Sequence, residues 1–185
     1  NVLRADADPS IEAVFATLSD PPERPAESFV LHAPLELAAR SSLLALASAD
    51  ARPAIIRRIN AIGNEWTAHS APLDNPTEFP LDADPFDQLV VAATAGDTMS
   101  ADAAFVALCR SAEPDRVLDT LTELTHDRLG GAGHAAIFVD QVGRLPQIAP
   151  NHLLAARALL IDIVGGWDRR IHWIDDIDAG SDRPD

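Results

Sequence analysis

The stretch DARPAIIRRINAIGNEWTAH, residues 50–69, decides the fold. Its apolar residues Ile55, Ile59, Ile62 and Trp66 recur at i, i+4, i+7 and i+11. That spacing draws one face of an α-helix and excludes the alternation of a half-buried strand. Asp50 stands where an N-cap belongs, and a proline such as Pro53 is tolerated in a first turn. The pattern predicts a helix from Asp50 to about His69. Just upstream, SADARP marks a turn, and the Leu- and Ala-rich residues 26–47 predict a second helix. Pro34 lies inside it, so that helix either begins near Pro34 or begins earlier and bends there. Two amphipathic helices joined by a short turn pack as an antiparallel hairpin, the unit of a bundle.

The rest of the chain continues in the same way. Asp8 before Pro9 opens a helix through Leu18, after which SDPPERP breaks the chain. Further helices are expected over about 87–95, 100–111, 114–129, 134–145 and 151–165. In the last of these Asn151 caps the start, and Leu153, Ala156, Leu160, Ile163 and Trp167 share a face. HAAIFVDQVGRL reads as helix, although AIFV alone fits a strand equally well. Residues 71–86, APLDNPTEFPLDADPF, hold four prolines and no periodicity; a loop of that length inside a compact domain is commonly a lid or a binding loop. No fixed-period repeat is present. The expected fold class is all-α: a single domain over residues 1–185, a bundle of about seven or eight helices. Residues 1–8 and 176–185 are expected to fray.

Composition bounds the function. The 185 residues are 47% hydrophobic, enough to bury a core, and carry a formal charge of −15. Such a field repels phosphate backbones and anionic membranes, which sets nucleic acid and membrane aside as partners. All 14 basic residues are arginine, which with the heavy Ala, Asp and Pro usage reads as coding bias. Cys109 is the one cysteine; it allows no intramolecular disulfide and no thiolate zinc site. It lies among Ala, Val and Leu as a small core residue. The first residues, NVLRADADPS, lack the apolar core of a secretory signal, and no apolar run has membrane-spanning length. A cytoplasmic setting is expected.

The hairpin also carries the candidate chemistry. With its turn centred between Asp50 and Ala51, His32 and His69 are equidistant from that centre, and so are Glu36 and Glu65. Residues equidistant from the turn of an antiparallel pair lie at similar heights. His32 would then face His69, and Glu36 would face Glu65, in two levels ~6 Å apart. Carboxylates and imidazoles projecting into a helical bundle are the construction of di-iron and di-manganese sites. His69 is in phase with the Ile55–Trp66 stripe; Glu65 lies at its edge. His134 shares a face with Ile137, Phe138, Gln141 and Leu145 and is expected to point at the core. The bland alternatives are an i,i+4 ion pair of Glu36 with Arg40 and a hydrogen-bonded core role for His69.

Other polar residues carry less. Glu123 and His126 have the Glu-x-x-His spacing of di-iron helices. They lie opposite Val117, Leu118, Leu121 and Leu124, however, and read as a solvated face. His152 and His172 read as structural. GGAG, residues 130–133, reads as a helix C-cap and linker. No nucleophile elbow, Walker loop or dinucleotide fingerprint is present.

LHAPLELAA, residues 31–39, resembles the Asn-His-x-Pro-apolar helix start of questin-oxidase-like proteins, with Leu31 in place of the Asn. GHAAIFVDQV, residues 133–142, is similar to their further His-Ala helix starts. The resemblance covers about two dozen residues. It implies a helical oxygenase of the kind that acts on polyketide rings, with His32 and His134 as site residues. The expectation is therefore a small metal-dependent oxidoreductase, with iron held by His32, Glu36, Glu65, His69 and His134 in a buried site beside a small apolar substrate. The competing expectation is a non-catalytic helical interaction protein with an acidic surface, in which those side chains pair with arginine or backbone.

Overall fold

A computed structural model describes residues 9–25, 27–74, 76, 79–80, 82–125, 133–144 and 152–166. The fold is all-α. In chain order the helices are α1 (Pro9–Leu18), α2 (Ser28–Leu44), α3 (Arg52–His69), α4 (Pro85–Ala95), α5 (Thr98–Ser111), α6 (Pro114–Thr125) and α7 (His134–Arg144). A 3₁₀ turn, His152–Ala156, then runs into α8 (Arg157–Gly165). Among the described residues there is no named strand, only an isolated antiparallel bridge between Pro22 and Pro72. None of the described helices is long and apolar enough to cross a membrane.

Local chemistry sets the ends of these helices. Asp84 caps α4 by accepting from the Phe86 amide at 2.8 Å, with Pro85 in the first turn. Gly96, at φ 70°, stops α4 and turns its amide back onto the Ala92 and Ala93 carbonyls; a left-handed residue there is most cheaply glycine. Asp97 at once caps α5 through the Ser100 amide. The expected cap at Asp50 is not made. Instead the amides of Ala51 and Arg52 both bond the Ser48 carbonyl, and Ala51 already has helical angles, so the chain spirals into α3 through a turn. α2 begins at Ser28, well before Pro34, which is accommodated inside the helix. The stretch 136–139 that left helix and strand open lies within α7. The stretch expected as one helix from Asn151 is a 3₁₀ turn followed by α8; Asn151, Trp167, residues 1–8 and the acidic tail lie outside the described residues.

Two apolar clusters meet along α8. Ile11, Phe15 and Leu18 of α1, Val30 and Leu37 of α2, and Ile59, Ile62 and Trp66 of α3 form the first. Leu89, Phe105, Leu108, Val117, Leu121 and Phe138 from α4–α7 form the second, with Leu159 and Ile163 of α8. Ala155 and Ala158 belong to the first cluster while Leu159 and Leu160 belong to the second. The segment 152–164 is therefore buried nearly all round rather than along one face, as a run of almost unbroken apolar residues requires. Its buried charge is Arg157, 5% exposed, whose guanidinium makes a bidentate pair with Asp102 of α5 at 2.8 and 2.6 Å. The same side chain donates to the Ser19 carbonyl just past the end of α1 at 2.8 Å. One arginine thus ties α8, α5 and α1 together where the clusters join.

Among the described residues, segment 71–84 is held near its start and at Phe79, and Asp84 at its end meets Arg116 at 3.4 Å. Amides and carbonyls of residues 21–23 and 71–73 pair across the Pro22–Pro72 bridge, and Phe79 packs on the larger cluster. It is a connector pinned near its start, at Phe79 and at Asp84.

Candidate functional site

The hairpin register places the candidate residues. α2 ends at Leu44 and α3 begins at Arg52, so the turn is centred on Ser48, two to three residues before the centre expected from sequence. The contacts agree: Arg52 donates to the Leu44 carbonyl at 3.0 Å, and His69 Nε2 stands 3.9 Å from Glu27. The mirrored pairs are displaced accordingly. His69 is half-buried beside Phe29, ring centres 5.5 Å apart, rather than opposite His32.

Glu36 and Glu65 converge on an arginine. Arg58 donates through Nε and one terminal nitrogen to both oxygens of Glu36, at 2.8 Å each, and through the other terminal nitrogen to Glu65 at 2.7 Å. Arg40, one turn on from Glu36, adds a further bond at 2.6 Å. The Arg58 guanidinium, and to a lesser degree Arg40, holds the Glu36 carboxyl well below its ordinary 4.5, at about 2, against the upward push of burial. The two carboxylates in turn raise the Arg58 pKa, keeping it charged. The clamp takes three bonds to Glu36 and one to Glu65 and sets the Arg58 and Arg40 charges beside the carboxylates, where they oppose a bound cation. Replacing Glu36 by Gln is expected to cost about 1 kcal/mol at pH 7, because the network is only partly shielded from water. Since the folded pKa lies below the unfolded one, the contribution is full above about pH 4.5 and lost as pH falls toward 2. Urea titrations of both proteins at pH 7 and pH 2.5 check this: the gap between them should close at the lower pH.

His32 has turned away from the hairpin. Its Nδ1–H donates to the Ser28 carbonyl, four residues back, at 2.6 Å, and its Nε2 meets Nε2 of His134 at 3.2 Å. A carbonyl only accepts, so Nδ1 carries the proton and the neutral ring presents a lone pair at Nε2. Gly133, at φ 91°, turns the chain into α7 and sets His134 at its first position. The two rings lie nearly perpendicular, at 83°, with centres 4.9 Å apart. A head-on N–H···N bond at this nitrogen spacing would hold the centres about 5.5 Å apart. Two ligands each ~2.0–2.1 Å from one tetrahedral ion would set their nitrogens about 3.3 Å and their centres about 5.2 Å apart. A bent N–H···N bond brings the centres into the same range, so the 4.9 Å separation fits both arrangements.

Of the five residues expected as ligands, then, His32 and His134 meet each other, Glu36 and Glu65 share Arg58, and His69 stands with Glu27 and Phe29. None of the five is buried; His32 and Glu65 are exposed. No group of three or more His, Cys, Asp or Glu side chains able to hold a metal ion is found among the described residues. In α7 the buried face centres on Phe138, while Ile137, expected inward with His134, is 51% exposed. Glu123 is exposed, as expected of a solvated face; His126, His172 and Gly130–Ala132 lie outside the described residues. His152 is buried with its ring edge-on to Phe15. Burial pushes the Cys109 thiol up to about 12, the state of a core residue and not of a nucleophile. No protein-family model, curated protein or solved structure matches the chain.

Proposed function

We propose that His32 and His134 form the protein's half of a transition-metal site, and that the chain is a small metal-dependent oxidoreductase acting on an apolar molecule. The observation that carries this reading is the 3.2 Å approach of the two Nε2 atoms from helices α2 and α7. Two further features support it. The Ser28 carbonyl already fixes the tautomer and orientation of His32, the second-shell contact that ligating imidazoles ordinarily have. The two histidines are also the ones to which the questin-oxidase-like resemblance points. Imidazole ligands suit iron, copper, zinc and nickel; iron is the metal we assign, on the oxygenase likeness. Bound there, it would supply dioxygen activation with coordination positions left for water or substrate. With His32 protonated at Nδ1, the 3.2 Å contact is a hydrogen bond from His134 Nε2–H to His32 Nε2; to act as a ligand His134 would carry its proton on Nδ1 instead, and both lone pairs would then face one point. The single unpaired cysteine fits a reducing compartment, and on that ground we place the protein in the cytoplasm.

The second reading is the non-catalytic interaction protein. The arginine clamp favours it, since Glu36 and Glu65 pair with Arg58 as that reading requires. Elemental analysis of protein purified without a histidine tag, before and after anaerobic loading with Fe(II), separates the two. About one ion per chain supports the metal site; less than about 0.1, with none taken up on loading, removes it.

A further inference from the structure

We propose that the groove between α4 and α6 is a docking surface for a basic amphipathic helix of another protein. Phe86, Asp87, Val90 and Val91 of α4 and Glu123 and Leu124 of α6 line a trough of about 630 Å³ that is open to solvent. Phe86 and Val90, one turn apart, are half-buried against the larger core and form its floor with Leu124. Val91 stands 63% exposed on the wall, an unusually bare position for a valine beside an apolar floor. Asp87 and Glu123, both exposed, put a carboxylate on each helix. Neither helix contributes a basic side chain to the lining: α4 has none, and Arg116 of α6 is turned onto Asp84 at 3.4 Å.

Charge selects the occupant. An acidic rim on a chain of −15 repels a second copy, repels the chain's own IDDIDAGSDRPD segment, and repels nucleic acid and anionic lipid. An apolar floor flanked by carboxylates complements a helix with Leu or Met along one face and Lys or Arg beside it. The lining is open to solvent, as an interface to another protein requires, and does not enclose a small molecule. The surface lies on α4 and α6, whereas the histidine pair lies on α2 and α7, so this inference stands or falls apart from the metal site.

The probe is a labelled synthetic peptide with leucine on one helical face and lysine on the other, followed by fluorescence anisotropy at physiological salt. A counterpart with glutamate in place of lysine is the charge control. Saturable one-to-one binding of the lysine peptide is expected, with none for the glutamate peptide. Val91→Arg should weaken binding about tenfold or more, as loss of a central apolar anchor does. Met99→Arg on α5 makes the same charge change at another exposed apolar residue, 52% accessible, and should leave binding unchanged. Equal weakening by the two variants would mean general charge attraction and overturn the proposal. So would absence of saturable binding, or equal binding of both peptides.

Discussion

Asp102→Ala is expected to lower the unfolding free energy by about 3–5 kcal/mol, the largest loss expected for a polar substitution among the described residues. Asp102 is 2% and Arg157 5% exposed, so deleting the carboxylate leaves a guanidinium buried with one remaining partner, the Ser19 carbonyl. The cost is mainly that of the stranded charge, not the worth of the pair. Domains of this size are stable by only about 5–15 kcal/mol, so much of the margin disappears. The double variant Asp102→Leu with Arg157→Met tests the reasoning, because it removes both charges and keeps apolar volume. It should recover most of the loss. Urea unfolding followed by circular dichroism measures all three proteins. A single-variant loss below about 1 kcal/mol would show that water reaches the pair.

The helices were legible because their signals are local. The Ile55–Trp66 stripe, the Asp84-Pro85 start of α4 and the Gly96 stop each act within a turn or two. Tertiary pairing is less legible. The sequence placed the hairpin turn at Asp50 on cap chemistry, but Ser48 takes the amides that open α3. Moving the turn centre by two to three residues shifts the pairing register by about five, roughly 7.5 Å along the hairpin, and that separates His32 from His69. The Arg58 clamp was partly visible: Glu36 with Arg40 is an i,i+4 pair that sequence spacing offers directly. Arg58 itself reaches Glu36 across 22 positions, which no local rule encodes. The buried pair left a plainer trace. An arginine within HLLAARALLIDIVG must find a buried anion, and Asp102 within ADAAFVAL is a carboxylate in the same predicament. Which anion meets which cation is a matter of packing. His32 and His134 meet across 102 positions, a separation that neither spacing nor helical phase encodes, whereas mirror symmetry about the turn matches His32 with His69.

His32→Ala is expected to weaken binding of a divalent transition metal at least about a hundredfold, more than the loss of a second-shell contact causes. In the proposed site only these two nitrogens come from the protein, so removing one leaves a single imidazole and no chelate. His134→Ala should do the same. The fold should hardly notice: His32 is exposed, its hydrogen bond is to a carbonyl of its own helix, and such surface changes stay within about 0.5 kcal/mol. The informative comparison is with the other three candidates. Glu36→Gln, Glu65→Gln and His69→Ala should leave metal affinity unchanged, since Arg58 holds the carboxylates and His69 lies beside Glu27. Competition titrations against a chromophoric chelator, using Co(II) or Zn(II) so that no oxidation intervenes, measure all five variants. Loss of affinity in His69→Ala with none in His134→Ala would return the site to the hairpin and remove the pair. Loss in both histidine-pair variants, with the carboxylate variants intact, places the metal between α2 and α7, where two nitrogens already stand at a chelating distance.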